Sequence, residues 1–161
     1  MTKQKIIKLS ELMLAILFCQ AAGIVGSLFT APAIKTWYVT LNKPSFNPPN
    51  WLFAPVWTIL FLLMGISFFL ILEKGTDKKA RGDAFFVFIF QFILNVEWSI
   101  LFFGLNFLFA AFIEIIILWV AILATIIKFY KVYKPAAYLL IPYFLWVTFA
   151  SVLNFFIWRL N

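Results

Sequence analysis

The sequence predicts an all-α membrane protein, built as a bundle of five transmembrane helices in a single domain over residues 1–161. Of its 161 residues, 65% are hydrophobic and 12% are charged, whereas soluble domains are roughly 45–50% apolar and about 25% charged. Five stretches have the length of about 20 mainly apolar residues that a helix needs to cross the hydrocarbon core. Apolar residues run continuously within them and do not alternate, which excludes barrel strands.

The predicted spans cover residues 9–29, 51–72, 84–103, 107–127 and 136–158. Their acidic residues are Glu11, Glu97 and Glu114. Basic residues ahead of the first span also resemble the start of a secretory signal peptide. That span is longer than a usual signal-peptide core, and no clear small-residue cleavage site follows it, so we favour a retained membrane helix.

The 13 Lys and Arg residues give a net charge of +7 and are concentrated at the ends of the apolar runs. A nucleic-acid-binding surface needs its cations on one folded face, so we expect contact with anionic lipid headgroups and no nucleic-acid partner. Most cations fall on the side of the N-terminus: Lys3, Lys5, Lys8, Lys74, Lys78, Lys79, Arg81, Lys128, Lys131 and Lys134. Lys35, Lys43 and Arg159 fall on the other side. The positive-inside rule therefore predicts a cytoplasmic N-terminus.

Residue types for conventional catalysis are missing from the sequence. It has no His, and Cys19 is its single Cys, which excludes an internal disulfide, a His-containing triad and a Cys/His metal set. No Gly-rich phosphate-binding loop is present either, and a haem with a His axial ligand is excluded. We therefore expect neither a metal nor a resident cofactor.

The connection between the first two spans, residues 30–50, is rich in proline: Pro32, Pro44, Pro48 and Pro49. Proline fixes φ and interrupts helices, so this segment should be stiff and should not form a further span. In one interpretation it lies across the mouth of the bundle as a lid. In the other, Trp37 and Tyr38 belong to the ordinary aromatic belt at headgroup depth.

Polar side chains inside hydrocarbon are costly unless they meet a partner or a cavity. On the third span, Gln91, Asn95 and Trp98 share one helical face. The residues that share a face of the fifth span are Tyr143, Trp146, Ala150 and Leu153. Together with Trp57 on the second span, these faces suit a flat apolar ligand with a polar rim. They suit interhelical hydrogen bonding equally well, and the residues alone leave both interpretations open.

The first span carries small residues at every fourth position: Cys19, Gly23, Ser27 and Ala31. Ridges of small residues let helix backbones approach closely. This ridge is either an internal packing seam or a dimer face.

Glu97 and Glu114 are the acids that lie deep within predicted spans. A proton relay needs a chain of titratable groups, and no Lys, Arg or His lies inside the spans beside them. We therefore favour structural acids, either protonated or locally paired, over a relay.

Three segments together carry a family resemblance. The first two spans are joined by WYVTLNKPSFNPPNWLFAPVW, from Trp37 to Trp57. The third span contains QFILNVEWSILFFG, from Gln91 to Gly104, and the fifth contains PYFLWVTFASVLNFFIWR, from Pro142 to Arg159. In this order they resemble the tryptophan-rich sensory protein family, which includes bacterial TspO and the mitochondrial translocator protein.

The resemblance implies a five-helix bundle, commonly a homodimer, with a cavity that the first loop closes. It implies porphyrin ligands such as protoporphyrin IX and, for animal members, cholesterol. The positions that match the family's ligand cavity are Ser27, Thr30, Tyr38, Leu52, Ala54, Trp57, Asn95, Trp98, Ala110, Ile113, Trp146, Ala150 and Leu153. Some bacterial members degrade protoporphyrin IX in light, and the two tryptophans implicated there match Trp57 and Trp146.

Two features depart from the family's pattern. Its sterol-recognition pattern, at the end of the fifth span, has a Tyr between an apolar residue and a cation. Here Phe155 and Phe156 stand between Val152 and Arg159, so cholesterol is not the expected ligand. The acid of the fourth span resembles the family's Asp but is Glu114.

Function is open between three classes of protein. The first is a receptor or carrier that binds tetrapyrroles and similar flat apolar ligands, with a sensory or transport role. The second is an enzyme for light- and oxygen-dependent porphyrin degradation, with Trp57 and Trp146 as its redox-active indoles. The third is a structural or regulatory membrane protein whose aromatic residues only pack. We expect a homodimer in a prokaryotic plasma membrane, because the chain is short at both ends, or in the mitochondrial outer membrane of a eukaryotic host.

Overall fold

The computed structural model describes residues 3–161, and within that range the chain is helical with no strand. The α-helices are α1 (Lys3–Lys35), α2 (Phe53–Lys74), α3 (Lys78–Ser99), α4 (Leu108–Val132), α5 (Lys134–Leu139) and α6 (Ile141–Leu160). Helix α3 continues into a π-helical turn at Ile100–Gly104, and short 3-10 turns lie at Tyr38–Thr40 and Asn50–Leu52. The all-α prediction is confirmed.

Five helical segments are long and apolar enough to cross a membrane, which confirms the predicted number of spans. They are Lys3–Lys35, Asn50–Lys74, Lys78–Gly104, Leu108–Val132 and Lys134–Leu160. Each overlaps one predicted span and extends beyond it at one or both ends. The sequence prediction followed the apolar residues alone, whereas the helices continue into polar turns. At the start of α3, for example, the Asp77 carboxylate accepts hydrogen bonds from the backbone N–H groups of Lys79 and Ala80 and caps the helix.

Helix α1 is longer than predicted because Pro32 does not end it. The sequence placed the start of the loop at residue 30, but α1 continues to Lys35 with Pro32 inside it. Proline is tolerated inside membrane helices. Pro32 leaves the Leu28 carbonyl, one turn earlier, without its N–H donor, and the Thr36 hydroxyl bonds the Pro32 carbonyl at 3.0 Å, in the last turn of α1. The first connection therefore spans residues 36–49 only.

The fifth span is two helices, whereas the sequence predicted one. Helix α5 ends at Leu139, α6 begins at Ile141, and Leu140 lies between them. Pro142 has no N–H to donate back into α5. It lies instead in the first turn of α6, where a missing donor is tolerated. The predicted segment 136–158 is thus an interrupted span.

Contacts between helix ends define the topology. At one end of the bundle, Lys8 near the start of α1 forms an ion pair with Glu73 near the end of α2 at 2.6 Å. At the other end, Asn161 after α6 bonds to Asn42 in the first connection. The two chain termini therefore lie at opposite ends of the bundle, as an odd number of antiparallel spans requires.

Helices α1 and α2 pack closely through small residues. Cys19 of the small-residue ridge is buried, as are Ala22 and Gly26 alongside it, so this part of α1 is an internal packing seam. An added Cβ at Gly26 would lie 3.1 Å from Ser99 Oγ of α3. The closest approach is at Gly65 of α2, where an added Cβ would lie 2.6 Å from Ile16 Cα. The remaining ridge positions border the cavity described next.

Candidate ligand cavity

The main cavity lies between α1, α2 and α3, in the half of the bundle next to the first connection. Its volume is about 320 Å³, within the roughly 300–1,000 Å³ of small-molecule sites. It is lined by Gln20, Ala22, Gly23, Ile24, Gly26, Ser27, Thr30, Ala31, Ile34, Asn50, Phe53, Ala54, Trp57, Thr58, Phe61, Asn95, Trp98, Ser99 and Phe103.

The main cavity opens sideways between α1 and α2. Ile24 of α1, at its border, is 64% exposed, and the bordering residues Ala54 and Thr58 of α2 are exposed as well. The outer surface of a membrane-spanning helix faces lipid. The mouth of the main cavity therefore lies on the outer surface of the bundle and not beneath the first connection.

A small cavity of about 20 Å³ lies beneath the first connection, with room for about one water molecule. It is lined by Tyr38, Phe53, Trp57, Trp98, Phe102, Phe103, Trp146, Ala150, Leu153, Asn154 and Ile157. Phe53, Trp57, Trp98 and Phe103 line both cavities. These four side chains form an aromatic wall between the two spaces.

The indoles of the two cavities pack against aromatic rings of the protein itself. The Trp57 ring stacks on Phe61, with centroids 5.5 Å apart and planes 28° apart. The Trp146 ring meets Phe53 edge-on at 6.2 Å. Such geometries fall within the usual 4.5–7 Å range of aromatic pairs.

The buried amides of α3 bond to α6. Asn95 Nδ2 donates to the Tyr143 hydroxyl at 2.8 Å, and that hydroxyl donates to Gln91 Oε1 at 3.0 Å. Trp98 Nε1 donates to Asn154 Oδ1 at 3.1 Å, and Asn154 Nδ2 in turn donates to a backbone carbonyl of α4. These bonds favour the interhelical interpretation of the polar faces. Asn95 and Trp98 also line the main cavity, so the same side chains join two helices and border a cavity.

Among the buried side chains that the structure describes, two carry polar atoms without a hydrogen-bond partner: Glu114, at both carboxyl oxygens, and Trp146, at Nε1. Trp146 borders the small cavity, where its N–H is available to an acceptor. Leaving a buried donor unpaired is costly, so a bound acceptor would stabilise this conformation. Glu114 lies on α4 outside both cavities, and the hypothesis that it is locally paired is not supported.

Tyr38 fixes the first connection to the end of the bundle. Its side chain is 1% exposed, and its hydroxyl donates to Asn47 Oδ1 at 2.6 Å. Burial raises the pKa of Tyr38 to about 12, so the hydroxyl remains a donor at neutral pH. Lys43 Nζ donates to the backbone carbonyls of Tyr38 and Leu41, both at 2.8 Å. Side chains of the connection therefore bond its own backbone as well as one another.

A reciprocal pair of asparagines holds the same connection against α6. The Asn42 backbone N–H donates to Asn161 Oδ1 at 2.9 Å, and Asn161 Nδ2 donates to the Asn42 carbonyl at 2.9 Å. The Phe46 ring adds an edge-on contact with Phe156 at 5.4 Å. The connection therefore lies across the end of the bundle, in the position that a lid would take.

The two cavities bring together ten of the thirteen positions that the family resemblance implies. The main cavity is lined by Ser27, Thr30, Ala54, Trp57, Asn95 and Trp98. The small cavity is lined by Tyr38, Trp57, Trp98, Trp146, Ala150 and Leu153. Leu52, Ala110 and Ile113 line neither cavity. Helix α4 contributes no residue to either lining, and its Ile113 is 46% exposed on the outer surface.

Several lining residues were not predicted from the sequence: Gln20, Asn50, Phe53, Ser99 and Phe103. Gln20 carried a signal, since it is a polar residue inside an apolar span. Its Nε2 donates to the Thr58 carbonyl at 3.0 Å and bridges α1 to α2 beside the mouth of the cavity. The phenylalanines gave no comparable signal, because the chain has 22 of them and most only pack.

Fold and site together define a polytopic α-helical membrane protein with an internal cavity lined by tryptophan. The chain belongs to the TspO/MBR family, whose sequence profile matches residues 15–159. This confirms the resemblance.

Its relatives include bacterial, archaeal and animal proteins. The tryptophan-rich protein TspO of Chlorobaculum tepidum is 46% identical over 150 residues, which cover 93% of this chain and 95% of that protein. The tryptophan-rich protein TspO of Archaeoglobus fulgidus is 46% identical over 156 residues, covering 97% and 98%. The human translocator protein is 35% identical over 139 residues, covering 85% and 82%.

Proposed function

We propose that this protein is a membrane receptor or carrier that binds tetrapyrroles such as protoporphyrin IX and similar flat apolar ligands, with a sensory or transport role. The observation that carries the proposal is the main cavity, which is lined by tryptophan and opens to the bilayer. Transfer of an apolar ring into it contributes roughly 25 cal/mol per Å² of buried apolar area. The cost of ordering ligand and side chains reduces that gain.

The aromatic wall gives a tetrapyrrole two ways to fit. A macrocycle is larger than the main cavity alone, so part of it either remains in the lateral mouth or displaces the wall and enters the small cavity. In the second arrangement the ring would lie between Trp57 and Trp146. The free N–H of Trp146 would then meet an acceptor on the ligand.

A spectroscopic titration tests the proposal. We expect protoporphyrin IX, added in darkness to the purified protein in lipid nanodiscs, to give a saturable shift of its main absorption band and to quench tryptophan fluorescence. Empty nanodiscs are the control, because porphyrins also partition into lipid. If protein-containing and empty discs give the same spectra, the aromatic residues only pack and the structural class is correct.

Enlarging Ala150 should weaken binding. Ala150 lines the small cavity, so Ala150→Leu would fill space that the ligand needs, and we expect at least a tenfold loss of affinity, about 1.4 kcal/mol. The fold should survive, because Ala150 is only half-buried. The same titration measures the effect.

Ala110→Leu is the matched control for Ala150→Leu. Ala110 is exposed and lines neither cavity, so the Ala110→Leu variant should bind protoporphyrin IX with the affinity of the wild type. An unchanged affinity for Ala150→Leu would exclude the small cavity from the site. A loss for Ala110→Leu would instead support the assignment that the family resemblance gives to α4.

Light-driven porphyrin degradation is the second candidate function. One observation favours it: Trp57 and Trp146 both border the small cavity, so a ligand there would touch two oxidisable indoles. Light absorbed by the porphyrin would provide the energy for this reaction, and dioxygen would be the oxidant. Illumination of the bound complex separates the candidates, since a receptor keeps a stable spectrum and an enzyme bleaches it.

We further propose a prokaryotic plasma membrane as the location, with a cytoplasmic N-terminus and a homodimeric assembly. Ten of the 13 cations lie on the N-terminal side of the bundle, which supports the orientation. A reporter fused before Met1 should read cytoplasmic, and one after Asn161 should read external. Both reporters on one side would contradict the five-span topology. Chemical cross-linking in native membranes tests the homodimer.

A further inference from the structure

Within the described residues 3–161, every side chain that lines the main cavity is uncharged. Several of its hydroxyl groups already donate within their own helices: Thr30 Oγ1 bonds the Gly26 carbonyl at 3.0 Å, and Thr58 Oγ1 bonds the Ala54 carbonyl at 2.8 Å. An ionised carboxylate inside the cavity would therefore have no counter-ion, which is strongly unfavourable away from water. An acidic ligand must place its carboxylate at the rim.

Three cations lie at the end of the bundle next to the main cavity, and two of them are engaged. Lys43 Nζ bonds three backbone carbonyls of the first connection. The Arg159 guanidinium lies over the Trp158 ring at 5.7 Å, on α6, which does not line the main cavity. The ammonium group of Lys35, which is exposed in the last turn of α1, has no hydrogen bond or ion pair with any residue in the described range 3–161. It is the cation free to meet a ligand.

Lys35 lies at the border of the cavity-lining face of α1, next to Ile34, which lines the main cavity. Ser27 and Ala31 line the main cavity, and residues four apart lie on one face of a helix, so Lys35 follows them at the rim. Its long flexible side chain can cover apolar surface while its ammonium group stays in water. Asn50 lies on the opposite rim, exposed, with an amide that can donate.

We propose that Lys35, assisted by Asn50, forms an anion-recognition end of the main cavity, so that the preferred ligands are flat apolar molecules bearing a carboxylate. This inference rests on the proposed function and adds the orientation of the ligand: ring between α1, α2 and α3, carboxylate at Lys35. The last turn of α1 exposes carbonyl groups that repel an anion. Recognition therefore depends on the charge of Lys35 and not on the helix end.

Two probes of the same ring test the inference: protoporphyrin IX, a dicarboxylic acid, and its uncharged dimethyl ester. The ratio of their affinities is measured for the wild type, for Lys35→Gln and for Arg159→Gln, each in neutral nanodiscs. We expect Lys35→Gln to lower the affinity for the acid about tenfold relative to the ester. Arg159→Gln removes the same charge from the same end of the bundle and should leave the ratio as in the wild type. Added salt should weaken binding of the acid more than binding of the ester.

The outcomes separate the two levels of the proposal. If the wild type binds both probes and Lys35→Gln leaves the ratio unchanged, the anion end is wrong and the receptor proposal stands. If both variants lower the ratio equally, the effect is one of general surface charge, and Lys35 is not a specific contact. If the wild type binds neither probe, the proposed function fails and the anion end fails with it.

Discussion

Replacing Gly65 by alanine is expected to destabilise the protein by roughly 1–3 kcal/mol, the usual cost of overpacking a close contact. The added Cβ would lie 2.6 Å from Ile16 Cα and 3.0 Å from the Ala15 carbonyl oxygen. Both are backbone atoms, so no side chain can rotate away and α1 must move. The main cavity lies between the same two helices one turn further along, so we also expect protoporphyrin IX to bind about tenfold more weakly, equivalent to roughly 1.4 kcal/mol.

Gly82→Ala is the matched control for this substitution. A Cβ at Gly82 would meet nothing within 4 Å, and alanine favours a helix over glycine by about 0.8–1.0 kcal/mol. This variant should therefore be as stable as the wild type or slightly more so. Unfolding in a detergent titration, followed by circular dichroism, measures both variants. Equal stability of the two would contradict the close α1–α2 packing.

The five spans could be predicted from sequence because the bilayer imposes a simple requirement on composition and length. The two errors within the spans both concern proline. Pro32 was expected to end a helix and does not, whereas Pro142 was placed inside a continuous helix and lies just after a break. Proline removes one backbone donor, and whether the helix continues past it depends on packing against neighbouring helices. Residue spacing within one segment does not show that packing.

The parts of the candidate site that depend on the geometry of a single helix could be predicted from the sequence. Helical spacing correctly placed Asn95 and Trp98 on one buried face of α3, and both line the main cavity. Spacing does not reveal which helices are neighbours, so it did not predict that Trp98 bonds Asn154 of α6. For the same reason, spacing did not predict that α4 lies away from both cavities. Its position in the bundle leaves Ala110 and Ile113 outside them.

Changing both Trp57 and Trp146 to phenylalanine is expected to abolish most light-driven porphyrin degradation while leaving binding in darkness within about tenfold, roughly 1.4 kcal/mol. Both side chains line the small cavity, and both pack against aromatic rings in geometries that phenylalanine can reproduce. Most apolar contact with a flat ligand therefore survives. An indole can also donate an electron or trap reactive oxygen, and a phenyl ring can do neither. Bleaching of bound protoporphyrin IX under constant light measures the loss.

The double variant Trp119→Phe and Trp158→Phe is the control, because it removes two indoles that line neither cavity. Trp119 Nε1 bonds the Thr148 hydroxyl at 2.8 Å, and Trp158 stacks on Phe112 at 5.8 Å. We expect this control to bleach its ligand at the wild-type rate. A wild-type rate in the Trp57 and Trp146 variant would exclude these indoles as reactants. Loss of its binding in darkness would show that they anchor the ligand, which would favour the receptor over the enzyme.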